Sequence, residues 1–418
     1  MLELPVKPKI SSVSTYPEIE VLLCCASTRI ESERVERLKA TLKQDIDWAK
    51  LMQMASCHKV MPLLYWNLNA NCAEAVPKHI LAKLRVDFFA NTRHSLFLSG
   101  ELVRLLNLFK AQGIPALCFK GPVLAASVYG NLSLRQFSDL DILIRERDIE
   151  RAKQLFLSEG YRMKIEHIEV TEEQEATFVR SQNIHKLVRE AAYPFINQQK
   201  EVMAELHWGV MPKYFSFPID SKALWDDLAQ ASIAGNAVPS LSPENTLLML
   251  VGHGTKDCWT QLARICDVAE LIRSHPELNW VKLMHMAKAL GGERMLFVGL
   301  MLAHKLLGTT LPKDVWQKIQ TDPTVELLAN QVCEKLFHNK DNSYKDGTIT
   351  NFHLSSRERL ADRLRYFLFL AITPTTSDWL LLPLAKFPAF IYYLLRLIRL
   401  VGEQASKVFV NKIFRNNK

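Results

Sequence analysis

The sequence predicts an α+β protein, a small mixed-sheet core flanked by N-terminal and C-terminal helical regions, and three observations predict it. Apolar residues recur at three- and four-residue spacing through residues 17–99, the period of amphipathic helices. Between residues 115 and 207 the pattern shortens to apolar runs separated by turns, in a strand-helix-strand-helix order followed by three strands. After about Leu224 the helical period returns and holds to about Leu370. A chain of 418 residues has length for two or three cores, and 48% apolar against 23% charged residues excludes a disordered protein. The expected segments are 1–95 (helical), 96–220 (mixed-sheet core), 221–365 (helical) and 366–418 (apolar, then basic).

The elements follow in order. "PEIEVLLCCAST", "SERVERLKATLKQ", "DWAKLMQMASCHKVMPLLYWNLN" and "PKHILAKLRVDFFANTRHSLFLS" are helical, with Ser32–Glu33 and Asp45–Asp47 suited to helix starts. A helical pattern from Leu96 to Gln112 stops at Gly113. "PALCFK" (115–120) is a strand, Gly121-Pro122 a turn, and "VLAASVYG" a helix closing on Gly130. "DLDILI" (139–144) is a strand and "RDIERAKQLFLSEG" a helix, followed by strands in "YRMKIEHI", "NIHKLVRE" and "EVMAELHWGV". Ser242 caps a helix with Pro243 at its first position, and amphipathic helices continue from there.

A net charge of +8 and a pI near 9.0 fit an anionic partner, whether nucleotide, nucleic acid or acidic membrane, without choosing among them. The eight cysteines lie mostly in apolar helical patterns with no C-x-x-C and no zinc spacing, as expected of reduced core residues in a cytoplasmic protein. "MLELPVKPKISSVSTYPEIE" lacks the basic-then-apolar form of a signal peptide, so the sequon at Asn131 carries no meaning. Residues 366–400 are very apolar but interrupted by Asp378, Lys386, Arg396 and three prolines, which suits a buried helical hairpin better than a membrane span. The alternative is a peripheral contact with the inner membrane through 366–418, whose end carries Arg396, Arg399, Lys407, Lys412, Arg415 and Lys418.

Asp139 and Asp141 are two apart on a strand and therefore project from one face, while Leu140 and Ile142 pack on the other. Two carboxylates so close repel unless a cation lies between them, and carboxylates with phosphate oxygens suit Mg²⁺, or Mn²⁺ in its place. A D-x-D alone is more often an exposed strand start. Three neighbours alter that balance. The Lys120-Gly121-Pro122 turn opens a helix whose N–H groups, with Lys120, would face an anion. Arg135 and Ser138 precede the first aspartate, where a cation and a hydroxyl would help hold a triphosphate; a plain polar loop is the other reading. Glu205 and His207 share one face of a later strand, and Glu205 would complete a carboxylate triad if that strand lies beside 139–144. His253 lies in the helical region; Asp267, among apolar neighbours, reads as buried and paired to an Arg or His. His275 and His285 lack a third ligand, and no Ser/His/Asp, Walker-type or zinc pattern is present.

A glycine turn, a D-h-D strand and a distant acidic strand residue resemble the DNA polymerase β-like nucleotidyltransferase superfamily. More specifically, "KGPVLAASVYGNLSLRQFSDLDILI" followed by "ELHW" is similar to an uncharacterised bacterial nucleotidyltransferase family with K-G-x-x-L…Y…R-x-x-S-D-h-D-h-h-h and E-L-H-W motifs. "HGTKDCWTQLARICDVAELI", with His253, Trp259, Leu262 and Asp267, resembles a helix of the same family, and the resemblance covers about residues 40–400. It implies a nucleotidyltransferase core with Asp139, Asp141 and Glu205 as catalytic metal ligands and with Gly121 and Ser138 at the nucleotide phosphates. One departure stands out. The wider superfamily carries Gly-Gly or Gly-Ser at the turn, and Pro122 here removes one N–H, leaving Lys120 to replace it by charge.

The function expected is Mg²⁺-dependent transfer of a nucleoside monophosphate from an NTP, with ATP the first choice, to an acceptor hydroxyl, releasing pyrophosphate. Lys120 and Arg135 would offset the triphosphate charge, and His207 would orient Glu205 or touch the acceptor. An RNA end, a protein side chain and a small molecule or saccharide precursor are the acceptor classes. The alternative is a non-catalytic nucleotide-sensing or scaffold module, associated with a membrane.

Overall fold

The computed structural model describes residues 16–164, 191–338 and 346–372, together with residues 394, 396, 398 and 399. The chain begins with α1 (Pro17–Cys25), α2 (Ser32–Thr41), α3 (Trp48–Cys57) and α4 (Met61–Asn71), and then runs into α5 (Lys78–Ala111). At 34 residues α5 spans about 50 Å. The segment boundary expected at residues 95 and 96 falls inside this single helix. It ends as expected, on Gly113 with φ 63°, where Gly113 N–H and Ile114 N–H bond back to Lys110 and Phe109 carbonyls at 3.0 and 2.9 Å.

The core follows as β1 (Ala116–Cys118), α6 (Pro122–Ser127), β2 (Asp139–Ile144), α7 (Ile149–Ser158), β3 (Arg162–Met163), β4 (Ala192–Asn197) and β5 (Val202–His207). These strands form one five-stranded mixed sheet in the order β1-β2-β5-β4-β3. Only β2 and β5 are parallel, in a register that sets Asp141 opposite Glu205 and Leu143 opposite His207. The expected strand at 183–190 lies outside the described residues. In its place β4 appears, a strand the sequence hid because Pro194 sits at its middle, where a ladder donor is lost.

Alternation of burial divides the sheet's faces. Leu140, Ile142, Ile144, Val202, Ala204 and Leu206 pack with Leu98, Leu102, Phe109 and Phe156 of α5 and α7. Leu117, Phe119 and Leu143 point the other way, into the large core of the helical regions. Asp139 and Asp141 lie on that second face, so the sheet's chemistry looks toward the helices.

Beyond the sheet come α8 (Ser221–Asp226) and a two-stranded ribbon, β6 (Leu228–Ile233) and β7 (Asn236–Leu241). The helical period does not resume at Leu224 as expected. Ala234 and Gly235, with φ 48° and 80°, make the tight turn that joins the ribbon. Then follow α9 (Pro243–Lys256), α10 (Leu262–Ser274), α11 (Trp280–Leu290), α12 (Glu293–Leu307), α13 (Lys313–Gln320), α14 (Pro323–His338), α15 (Asp346–Ser355) and α16 (Leu360–Ile372). Trp259, fully buried at the α9–α10 corner, fits only because Gly254 has no side chain: a Cβ there would sit 2.5 Å from the indole. No helix among the described residues is long and apolar enough to cross a membrane. Most of 366–418, and with it the choice between buried hairpin and membrane contact, lies outside the described residues.

Candidate active site

The D-x-D strand and the E-L-H strand meet in the middle of the sheet. Period-two alternation sends Asp139 and Asp141 to one face of β2, and Glu205 and His207 to the same face of β5. They lie at the floor of a cavity of about 490 Å³, within the range of small-molecule sites. Lys120, Gly121, Arg135 and Ser138 line it from the β1–α6 turn and the loop before β2. His253, Lys256, Asp257, Arg264 and Asp267 close it from α9 and α10, and Lys59 from the α3–α4 corner.

Asp141 is the buried centre, 5% exposed. His207 Nε2 lies 3.1 Å from Asp141 Oδ1 and 3.1 Å from Glu205 Oε2, bridging the carboxylates. His207 Nδ1 is buried without a partner among the described residues, which assigns the proton to Nε2 as the donor to both oxygens. Phe119 holds the imidazole edge-on, ring centroids 5.0 Å apart. Burial alone would lower the pKa of His207, but its hydrogen bonds to Asp141 and Glu205 outweigh that and raise it.

The two aspartates titrate in opposite directions. Burial would raise the pKa of Asp141, yet Lys120, 3.4 Å away, and His207 hold it far below the ordinary carboxylate range. Burial raises that of Asp139, and the charges of Asp141 and Glu205 raise it further. Environments that separate neighbouring carboxylates in this way are a mark of functional sites. Cys118, buried nearby, is pushed up to about 12 by burial and then by Asp141, so its thiol stays protonated.

Asp141, Glu205 and His207 bring one ligand atom each to within 4.8 Å of one another, a set that could hold a metal ion. His207 and Lys120 offset these carboxylates as they stand; with the Nε2 proton released, two carboxylates and an imidazole nitrogen are a donor set that fits a divalent cation. Asp139 is outside this cluster but near enough for its titration to respond to it. His207 thus stands closer to the ion site than the sequence reading placed it.

Arg135 lines the cavity and is already paired: it donates from Nε to Asp267 Oδ1 at 2.8 Å and from a terminal nitrogen to Oδ2 at 2.9 Å. Tyr129 O–H donates to the same Oδ1 at 2.7 Å. Burial would lower the pKa of Arg135, and Asp267 raises it instead. The physical reason is burial: a guanidinium whose side chain is 15% exposed requires a carboxylate. Asp267 is the buried, paired aspartate expected from its apolar setting, and the pair fastens the core to α10. His253 donates from Nε2 to Val210 O at 2.7 Å, and burial holds its pKa well below normal.

Gly121 adopts φ 49°, and a Cβ there would lie 3.2 Å from the Asp139 carbonyl. The glycine therefore lets the turn press against the start of β2. The helix it opens, α6, has only six residues and begins with Pro122, so it offers fewer N–H groups than the sequence suggested. Ser138 is exposed in the cavity. Lys59, Lys256 and Arg264 were missed. Their only sequence signal is that Lys256 and Arg264 flank Trp259 in the helical stretch already singled out; Lys59 gives none.

No curated relative matches the chain. The profile of the uncharacterised nucleotidyltransferase family matches residues 44–308, well over half of the 418 residues and short of the 40–400 expected. With the D-x-D strand, its acidic neighbour and the enclosing helices all inside that span, the chain belongs to the uncharacterised nucleotidyltransferase family.

Proposed function

We propose that the protein moves a nucleoside monophosphate from an NTP, ATP first, to an acceptor hydroxyl. The observation that carries this reading is the placement of Asp139, Asp141 and Glu205 on one face of adjacent strands at the floor of a cavity. The acceptor oxygen attacks the α-phosphorus, the bond to the β-phosphate oxygen breaks, and pyrophosphate leaves. Asp141 and Glu205, with His207 and Asp139 beside them, would hold Mg²⁺ or Mn²⁺, which when bound offsets phosphate charge and acidifies the attacking hydroxyl. Glu205 keeps 35% of its side chain exposed, so it has an open face toward the acceptor and can take its proton. His207 fixes Asp141 and Glu205 relative to each other.

The test incubates the protein with α-labelled NTPs, Mg²⁺ or Mn²⁺ and a cell extract divided into RNA, protein and small-molecule fractions. Wild type labels one fraction and Asp139→Ala/Asp141→Ala labels none. Equal labelling by both refutes transfer at this site. Nucleotide binding with no labelling of any fraction points instead to a sensing or scaffold module.

A further inference from the structure

Three cations line the sheet side of the cavity, Lys120, Arg135 and Lys164, and two of them are already paired with carboxylates; Lys164, just past the end of β3, has its ammonium 3.7 Å from the Met203 sulfur. Lys120 is engaged with Asp141 at 3.4 Å, and Arg135 with Asp267. The turn between them lacks the Pro122 N–H, and Gly121 is pressed against Asp139. Lys164 alone on this side cannot balance a triphosphate, so further positive partners are needed.

They lie on the opposite, helical wall. Lys256 ends α9 and Arg264 sits in the first turn of α10, and the two share one carboxylate, Asp257, at 3.3 and 2.5 Å. That trio keeps one net positive charge. Arg264 Nε is buried with no hydrogen-bond partner among the described residues. Lys59 adds a second charge: it is exposed to the cavity, and its ammonium has no hydrogen bond or ion pair among the described residues.

The corner that presents Lys59 is firmly held. Its backbone is left-handed, φ 56°, a conformation that favours glycine over a long side chain. Val60 N–H bonds to Ala55 O at 2.9 Å behind it. In front, His58 O accepts from Ala263 N–H at 3.1 Å, and His58 Nδ1 accepts from Leu262 N–H at 3.4 Å. The N-terminal helices are thereby locked to the start of α10, next to Arg264. The left-handed residue is the αL stop of α3, with Val60 N–H closing back on Ala55 O, and this fixed corner holds an unpaired cation over the cavity.

We infer that Lys59, Lys256 and Arg264 form the polyphosphate-binding wall, gripping the triphosphate tail before transfer and the pyrophosphate after it. The inference rests on the nucleotidyl-transfer reading above and assigns the leaving group to the helical regions rather than to the glycine turn. A charge-assisted contact of this kind sets affinity by roughly ten- to a hundredfold.

Calorimetric titration of the full chain with inorganic tripolyphosphate in Mg²⁺ tests it without any assumption about the base. Lys59→Gly should melt no lower than wild type, because glycine suits the left-handed corner, yet bind tripolyphosphate ten- to a hundredfold more weakly. Lys59→Arg should retain most of the affinity. Lys59→Gln, which keeps the stem, repeats the loss if the glycine variant melts early. Wild-type affinity in both neutral variants overturns the wall while leaving nucleotidyl transfer intact. A wild type that binds neither tripolyphosphate nor any NTP overturns both.

Discussion

Taking away the Asp267 carboxylate is the sharpest probe of how the core and the helical regions are joined. Asp267→Asn keeps the shape but removes the charge that accepts from Arg135 at 2.8 and 2.9 Å and from Tyr129 at 2.7 Å. Breaking a buried pair by removing one partner typically costs about 3–5 kcal/mol, because the other charge stays buried alone. Arg135 borders the cavity, so water reaches it in the variant and the cost should fall near the lower end, about 3 kcal/mol. Arg135→Met leaves Asp267 the Tyr129 hydroxyl and should cost about 2 kcal/mol. Arg135→Met/Asp267→Asn removes both charges and should cost less than the sum, a coupling of about 2 kcal/mol. Urea unfolding followed by tryptophan fluorescence, read as midpoint shifts at constant slope, measures all four corners of the cycle. Costs that add to within about 0.5 kcal/mol would refute the pairing as a structural fastening. In that event a raised NTP KM in Arg135→Met, with stability unchanged, would return Arg135 to the phosphate.

Two other predictions concern backbone and pH. Gly121→Ala meets both a left-handed φ and the Asp139 carbonyl at 3.2 Å, so it should lose about 2 kcal/mol and at least tenfold in transfer; a melting temperature equal to wild type would contradict the close approach. His58 and His353 are held at a pKa of about 4 by burial, with Arg357 adding to the effect at His353. Both are depressed below the unfolded value, so their contribution is complete above pH 6.5 and is lost as pH falls toward 4, about 3 kcal/mol each. Urea midpoints at pH 7 and 4.5 should show a drop that His58→Gln reduces, and an unchanged drop would refute it.

The alternation in "DLDILI" and "EVMAELHWGV" was legible because a half-buried strand writes its two faces into consecutive residues. It placed Asp139, Asp141, Glu205 and His207 on the correct faces, though their adjacency across a parallel pair rested on resemblance. What stayed hidden depends on partners distant in sequence. Arg135 gives no local sign that Asp267, 132 residues on, will take its guanidinium. Lys59 reaches the cavity only because His58 docks on α10. Strand β4 escaped because proline ordinarily argues against a central strand, and the β6–β7 ribbon because its strands alternate small and apolar residues weakly.

The parallel pairing of β2 with β5 also bears on how the chain emerges during synthesis. Strand β2 follows β1 closely in the chain, but its partner on the other edge is complete only once residue 207 has been added. Until then a short, strongly apolar edge faces solvent, the kind of surface through which nascent chains stick together. Asp139 and Asp141 stand on that strand as charged gatekeepers before they are anything else. Neutralising them therefore alters the yield of soluble protein as well as the chemistry, and only folded, monodisperse variants separate the two.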